Sequence, residues 1–214
     1  MLTLLHTSPL HVPVFDALRD QDHPGVTLRH LVHEDLLARA MAEGPQAVAA
    51  DVAAVLAGAV AEGASAVLCT CSSVGGVAEA AAVELGVPVL RVDRPMAAAA
   101  AACDRVVVVA TVRSTFEPTA ALIREEAAGR AVDLRTLFVE GAWERLEAGD
   151  RDGYLDAVAA AVDTVREADV IVLAQASMTD AADRTTTAVP VLSSPRPGLR
   201  AAVEAAAEAV AAGS

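Results

Sequence analysis

A chain of 214 residues is long enough for one large domain or two small ones, and a 54% hydrophobic content supports a full core. With aromatics at only 2%, that core must be built from Ala, Val and Leu. The net charge of −13, with no basic stripe, argues against a nucleic-acid partner, and the absence of lysine excludes a pyridoxal Schiff base and a Walker A loop.

Along the chain, short β-rich runs alternate with helical stretches, as in α/β proteins with parallel sheets. The opening run 2–6 has no basic flank and reads as a buried strand, not a signal peptide, so the cytoplasm is the default location. A polar loop, His6-Thr7-Ser8-Pro9, leads into a helix over 10–20, a strand over 26–32 and a helix over 34–41. The helix 45–61 carries Pro45 in its first turn and Gly63 after its end, the expected punctuation. The strand 65–70 then stops at Cys71, ahead of two hydroxyls, two glycines and a helix over 74–85. A thiol between a strand end and a helix start meets unpaired N–H groups and the helix dipole, which favour thiolate. A strand over 87–92 and a helix over 95–102 follow.

The later strands are predicted at 105–110, 132–138, 169–174 and 189–192, with helices over 115–128, 141–147, 151–166, 178–184 and 197–211. No apolar stretch is strong enough to span a bilayer, so no membrane partner is expected; Pro95 to Cys103, for example, is mostly alanine. Cys69, Cys71 and Cys103 make no disulfide framework, and Cys69 and Cys71 read as pointing to opposite faces of their strand. All five histidines lie in the first 33 residues without zinc-like spacing. His30 and His33 read as strand-end and loop residues, and no metal is expected.

An internal repeat is visible. Val87-Pro88-Val89-Leu90 recurs as Val189-Pro190-Val191-Leu192, and Arg94-Pro95 recurs as Arg196-Pro197. Two α/β halves follow, each a four-stranded mainly parallel sheet flanked by helices. One takes residues 1–95 plus 193–214, including the returning last helix, and the other takes 96–192. Duplicated halves of this kind are expected to be pseudo-symmetric, with an active site in the cleft between them.

At this point the chain resembles the aspartate/glutamate/hydantoin racemase superfamily, which includes maleate isomerase and arylmalonate decarboxylase. Cys71-Ser72-Ser73 with Gly75-Gly76 is similar to the first catalytic cysteine loop. Val106 to Ala110 followed by Thr111-Val112-Arg113-Ser114-Thr115 is similar to the strand and threonine loop that open the second half. Leu173-Ala174-Gln175-Ala176-Ser177-Met178 is similar to the second loop, but without its cysteine. The resemblance implies chemistry that needs no cofactor: one thiolate takes the Cα proton of a small acid and a second thiol returns it on the other face. It also implies a homo-oligomer and a small carboxylate-bearing substrate.

Carried onto these residues, the resemblance makes Cys71 the catalytic group. Ser8, Ser72 and Ser73 are candidate carboxylate contacts in the first half. Thr111, Ser114, Thr115, Gln175 and Ser177 are their counterparts in the second. Gln175 or Ala176 takes the place of the second cysteine, and neither is a base. A single-cysteine isomerase is the first reading and a single-cysteine decarboxylase or lyase the alternative. His6 has two readings: a base that assists Cys71 as a nucleophile, or part of a capping cluster with Thr7 and Ser8. A third reading is a non-catalytic protein that binds small carboxylates. Arg94 and Arg196 are weighed as carboxylate clamps against ordinary helix-start arginines, and Trp143 and Tyr154 read as packing residues.

Overall fold

The structure, a computed structural model, describes residues 1–212. The chain divides into two compact units: Met1–Val92 with the segment from Pro195 onward, and Asp93–Ser194.

The first unit holds strands β1 (Leu2–His6), β2 (Leu28–Val32), β3 (Ala66–Cys69) and β4 (Val89–Arg91), all parallel, in the order β2-β1-β3-β4. Its helices are α1 (His11–Asp22), α2 (Glu34–Glu43), α3 (Ala49–Ala61), α4 (Ser72–Ala80) and α5 (Ala82–Leu85), with the last helix of the chain, Pro195–Ala212, packed beside α1. The second unit repeats the plan. It opens with α6 (Arg94–Ala101), and strands β5 (Arg105–Ala110), β6 (Asp133–Phe138), β7 (Val170–Leu173) and β8 (Val191–Ser193) are parallel in the order β6-β5-β7-β8. Helices α7 (Phe116–Glu126), α8 (Ala142–Glu147) and α9 (Arg151–Val162) flank this sheet, and Pro195–Ala212 is α10.

Both central strand pairs are buried on both faces, which is why they read as unbroken apolar runs. The period of two assigns every side chain. In β1 and β3, Leu2, Leu4, Ala66 and Leu68 pack with Phe15 of α1 and Leu199 of α10. Leu5, Val67 and Cys69 face the other way, onto Leu36, Val52, Leu56 and Val74. In the second unit Val106 and Val108 face Met96 of α6 and Ile123 of α7. Val107 and Val109 face Tyr154 and Val158 of α9.

Cys69 and Cys71 share one core cluster, a correction to the opposite-face expectation. Residues two apart in extended chain must lie on one side of it. Both remain free thiols. Helix α4 begins at Ser72, two residues earlier than predicted, because Cys71 itself forms the cap. Pro45 opens a short 3₁₀ turn, Pro45–Val48, so that α3 proper starts at Ala49. Residues Ala176–Arg184 also form a 3₁₀ segment. Among the described residues no helix is long and apolar enough to cross a membrane.

Helix α10 approaches β4 through Gly198, where a Cβ would stand 2.7 Å from Val92 Cγ2 and 2.9 Å from its Cα. The backbone of Val92 cannot step aside without disturbing β4. Gly198→Ala is therefore expected to cost about 1–3 kcal/mol, read as a lower urea midpoint, although alanine is the better helix former.

Candidate active site

In each unit the strand order reverses between the first and third strands, and the loops beyond their carboxyl ends meet at that point. The backbone ladder matches the two units residue by residue. Thr70 N–H donates to the Leu5 carbonyl (2.9 Å) as Ala174 N–H donates to that of Val109 (3.0 Å). His33 N–H reaches the His6 carbonyl (2.8 Å) as Val139 N–H reaches that of Ala110 (3.0 Å). Cys71 is thus the counterpart of Gln175, and Thr7 that of Thr111. Ala176 falls one place later, as the first residue of the 3₁₀ segment.

Cys71 caps α4 in extended conformation (φ −110°, ψ 117°) and Gln175 caps its segment similarly (φ −124°, ψ 138°). Cys71 is 8% exposed, a nearly buried residue at the strand end. Its carbonyl accepts a weak hydrogen bond from the Cys69 thiol at 3.7 Å, while the Cys71 side chain makes no capping bond. Ser72 and Ser73, both half-buried, form the first turn of α4, whose N–H groups have no carbonyl within the helix to bond. Gly75 and Gly76 serve packing: a Cβ on Gly75 would stand 3.0 Å from Arg91 Cβ and 3.2 Å from its Nε. The glycines make room for the stem of Arg91, a nearly buried arginine that the sequence reading passed over.

His6 lies on the other side of the sheet from Cys71, and both its ring nitrogens are engaged. Nδ1 is 2.8 Å from Thr70 Oγ1, and Nε2 is 2.8 Å from His30 Nδ1. The Thr70 hydroxyl donates its one proton to the Leu5 carbonyl at 3.2 Å. It therefore accepts from His6 Nδ1–H, and His6 Nε2 accepts from His30. His30 Nε2 in turn lies 3.4 Å from Asp16 Oδ1. Burial, reinforced by repulsion from His11 and His30, lowers the His6 pKa to about 3, and burial lowers that of His11 to about 4. Ser8 closes the turn into α1, its Oγ accepting from Leu10 N–H at 3.3 Å. Among the described residues no group of three or more His, Cys, Asp or Glu is arranged for a metal ion.

In the second unit the polar side chains form one network. Gln175 Oε1 accepts from Thr111 N–H (2.7 Å) and from Thr111 Oγ1–H (3.0 Å). Tyr154 OH, brought in by α9, is 2.8 Å from Ser177 Oγ and lies beside Thr111. Burial raises the Tyr154 pKa, with Ser177 and Thr111 opposing it, so the phenol is neutral. Its role in this network was not legible in the sequence. Thr115 is buried and Ser114 exposed, and neither joins the network among the described contacts. Arg113, next to them, lies 3.9 Å over the Phe138 ring. Arg94 is paired with Glu125 and Glu126, and Arg196 with Asp22 and Gln21, which commits both to helix ends. Trp143 packs against the α9 core as expected.

Two parallel α/β units of one topology, each with polar groups where its strand order reverses, define a two-domain α/β fold of the racemase type. Residues 12–206 match the Asp/Glu/Hydantoin racemase family model, and the chain belongs to that family. The fold is shared with glutamate racemase from Thermus thermophilus at 19% identity and a TM-score of 0.73, covering 97% of this chain and 80% of that one. It is shared with aspartate racemase from Picrophilus torridus at 12% identity and TM-score 0.68, covering 97% and 94%. Arylmalonate decarboxylase is similar at 20% identity and TM-score 0.62, covering 96% and 91%. No curated protein sequence matches the chain significantly.

Proposed function

We propose that this racemase-family enzyme moves a proton at the carbon next to a carboxylate of a small organic or amino acid, with Cys71 as the single proton carrier and no cofactor. The observation that carries the reading is that Cys71 caps α4 at the carboxyl end of β3, while its counterpart in the second unit is a carboxamide. The thiolate takes the Cα proton, or the thiol delivers one to a carbanion left by decarboxylation. In either case negative charge grows on the carboxylate oxygens. N–H groups of the first turn of α4, with the Ser72 and Ser73 hydroxyls, are suited to stabilise it. A carboxamide does not exchange protons as a base at neutral pH, so the second transfer of a two-thiol racemase has no carrier at Gln175. His6 is left out of the reaction because both its nitrogens are engaged.

The test is incubation in heavy water with D- and L-glutamate, D- and L-aspartate and phenylmalonate, followed by NMR and chiral chromatography. Deuterium should enter Cα of one enantiomer without inversion, or phenylmalonate should lose carbon dioxide to give a product of one hand carrying deuterium. Rapid inversion of both enantiomers would require a second proton carrier and defeat the single-thiol reading. Absence of exchange and decarboxylation across the panel would count against this substrate class.

A further inference from the structure

The carboxamide of Gln175 cannot be placed either way round. A backbone N–H must meet an acceptor, and Thr111 N–H meets Gln175 at 2.7 Å, so the atom there is Oε1. The Thr111 hydroxyl spends its one proton on the same oxygen, which fills both carbonyl lone pairs. Thr111 Oγ1, its proton spent, can then only accept, and the Tyr154 hydroxyl beside it shares a 2.8 Å hydrogen bond with Ser177 Oγ in which either oxygen can donate. The Thr111 N–H and O–H protons both point at Gln175 Oε1. That oxygen belongs to a carboxamide whose NH₂ has no partner among the described residues and is not among the buried unsatisfied atoms.

We infer that the Gln175 NH₂ is a built hydrogen-bond donor for a substrate carboxylate or enediolate oxygen, and that Tyr154 is its positioning residue. The inference rests on the proposed function for its ligand class. Where a second thiol would carry protons, this strand end supplies a fixed donor that stabilises charge. The donor is directional because Thr111, 2% exposed, and Tyr154, fully buried, cannot rotate away. Ser177, hydrogen-bonded to the Tyr154 hydroxyl at 2.8 Å, holds the network at its far end.

The chain has three glutamines, Gln21, Gln46 and Gln175, and no asparagine, so the side-chain amide region of a ¹⁵N spectrum is simple. Gln175→Glu identifies the Gln175 pair by its disappearance. On titration with malonate that pair should move in the wild type and equally in Cys71→Ala. Tyr154→Phe, which removes one oxygen from the network, should weaken malonate binding about tenfold, and Gln175→Glu should weaken it at least as much, with backbone spectra still folded. A Gln175 pair that stays in place up to saturating malonate, whether or not other signals move, overturns the donor assignment. Unchanged malonate affinity in folded Tyr154→Phe overturns the positioning role. If the heavy-water experiment fails while the Gln175 pair still moves, the proton-transfer reading falls and the donor stands.

Discussion

Cys71→Ala is expected to lower turnover about 10³- to 10⁴-fold while leaving the fold intact, the upper range for loss of a positioned acid/base group. No other thiol can substitute. Cys69 is sealed in the sheet with its S–H turned to the Cys71 carbonyl, and Cys103 lies beyond the end of α6 in the other unit. Loss of one sulfur removes a single heavy atom from a nearly buried position, so stability should fall by only about 1 kcal/mol. Cys71→Ser should fail nearly as badly, because a hydroxyl is a far weaker acid than a thiol at neutral pH. The measurement is kcat for deuterium incorporation or decarboxylation in each variant, read beside thermal unfolding. Cys69→Ala serves as the control and should retain turnover. Full turnover in folded Cys71→Ala would remove proton transfer at this residue from consideration.

The parts of this picture that depend on pattern were visible in the chain itself. Unbroken runs such as Val106–Val109 announce strands buried on both faces, and the recurrence of Val87-Pro88-Val89-Leu90 at 189–192 announces the duplicated plan. Cys71 stood out because it interrupts such a run just before a helix. The contacts made beyond the strand ends were not visible, because they depend on which helix crosses which loop. Tyr154 looked like one more apolar position on an amphipathic helix, and only the packing of α9 on β7 brings its hydroxyl to Ser177. Gly75-Gly76 looked like part of a catalytic loop because the short motif carries no sign of Arg91, which comes from a strand 15 residues further on. His6 shows the same limit. Its place at the end of β1 was readable, but its direction was not: it turns toward Thr70 and His30 and away from the thiol face.

That turn gives the unit a strong sensitivity to acid. His6 is fully buried and His11 has a buried Nδ1 without a partner among the described residues. Their pKa values of about 3 and about 4 lie below the ordinary value of 6.5, so both are neutral in the native state at neutral pH. Below pH 6.5 the unfolded chain binds protons at both positions and the native state does not. Stability therefore has its full value above about pH 6.5 and falls as the pH drops, by about 1.4 kcal/mol per pH unit for each histidine. The fall from both continues to about pH 4, where His11 begins to charge in place, and from His6 to about pH 3. Asp150, Asp163 and Asp169, all with lowered pKa values, add their losses only below their ordinary value of 3.8. The interval from pH 6.5 to 4 is thus governed by the histidines. Urea midpoints measured across it should fall steeply in the wild type. His11→Phe, which fills the same space without an ionisable ring, should remove close to half of the slope. Stability that stays level between pH 7 and pH 5 would mean that the two rings are hydrated and charge freely, and the closed His6–Thr70–His30 arrangement would have to be abandoned.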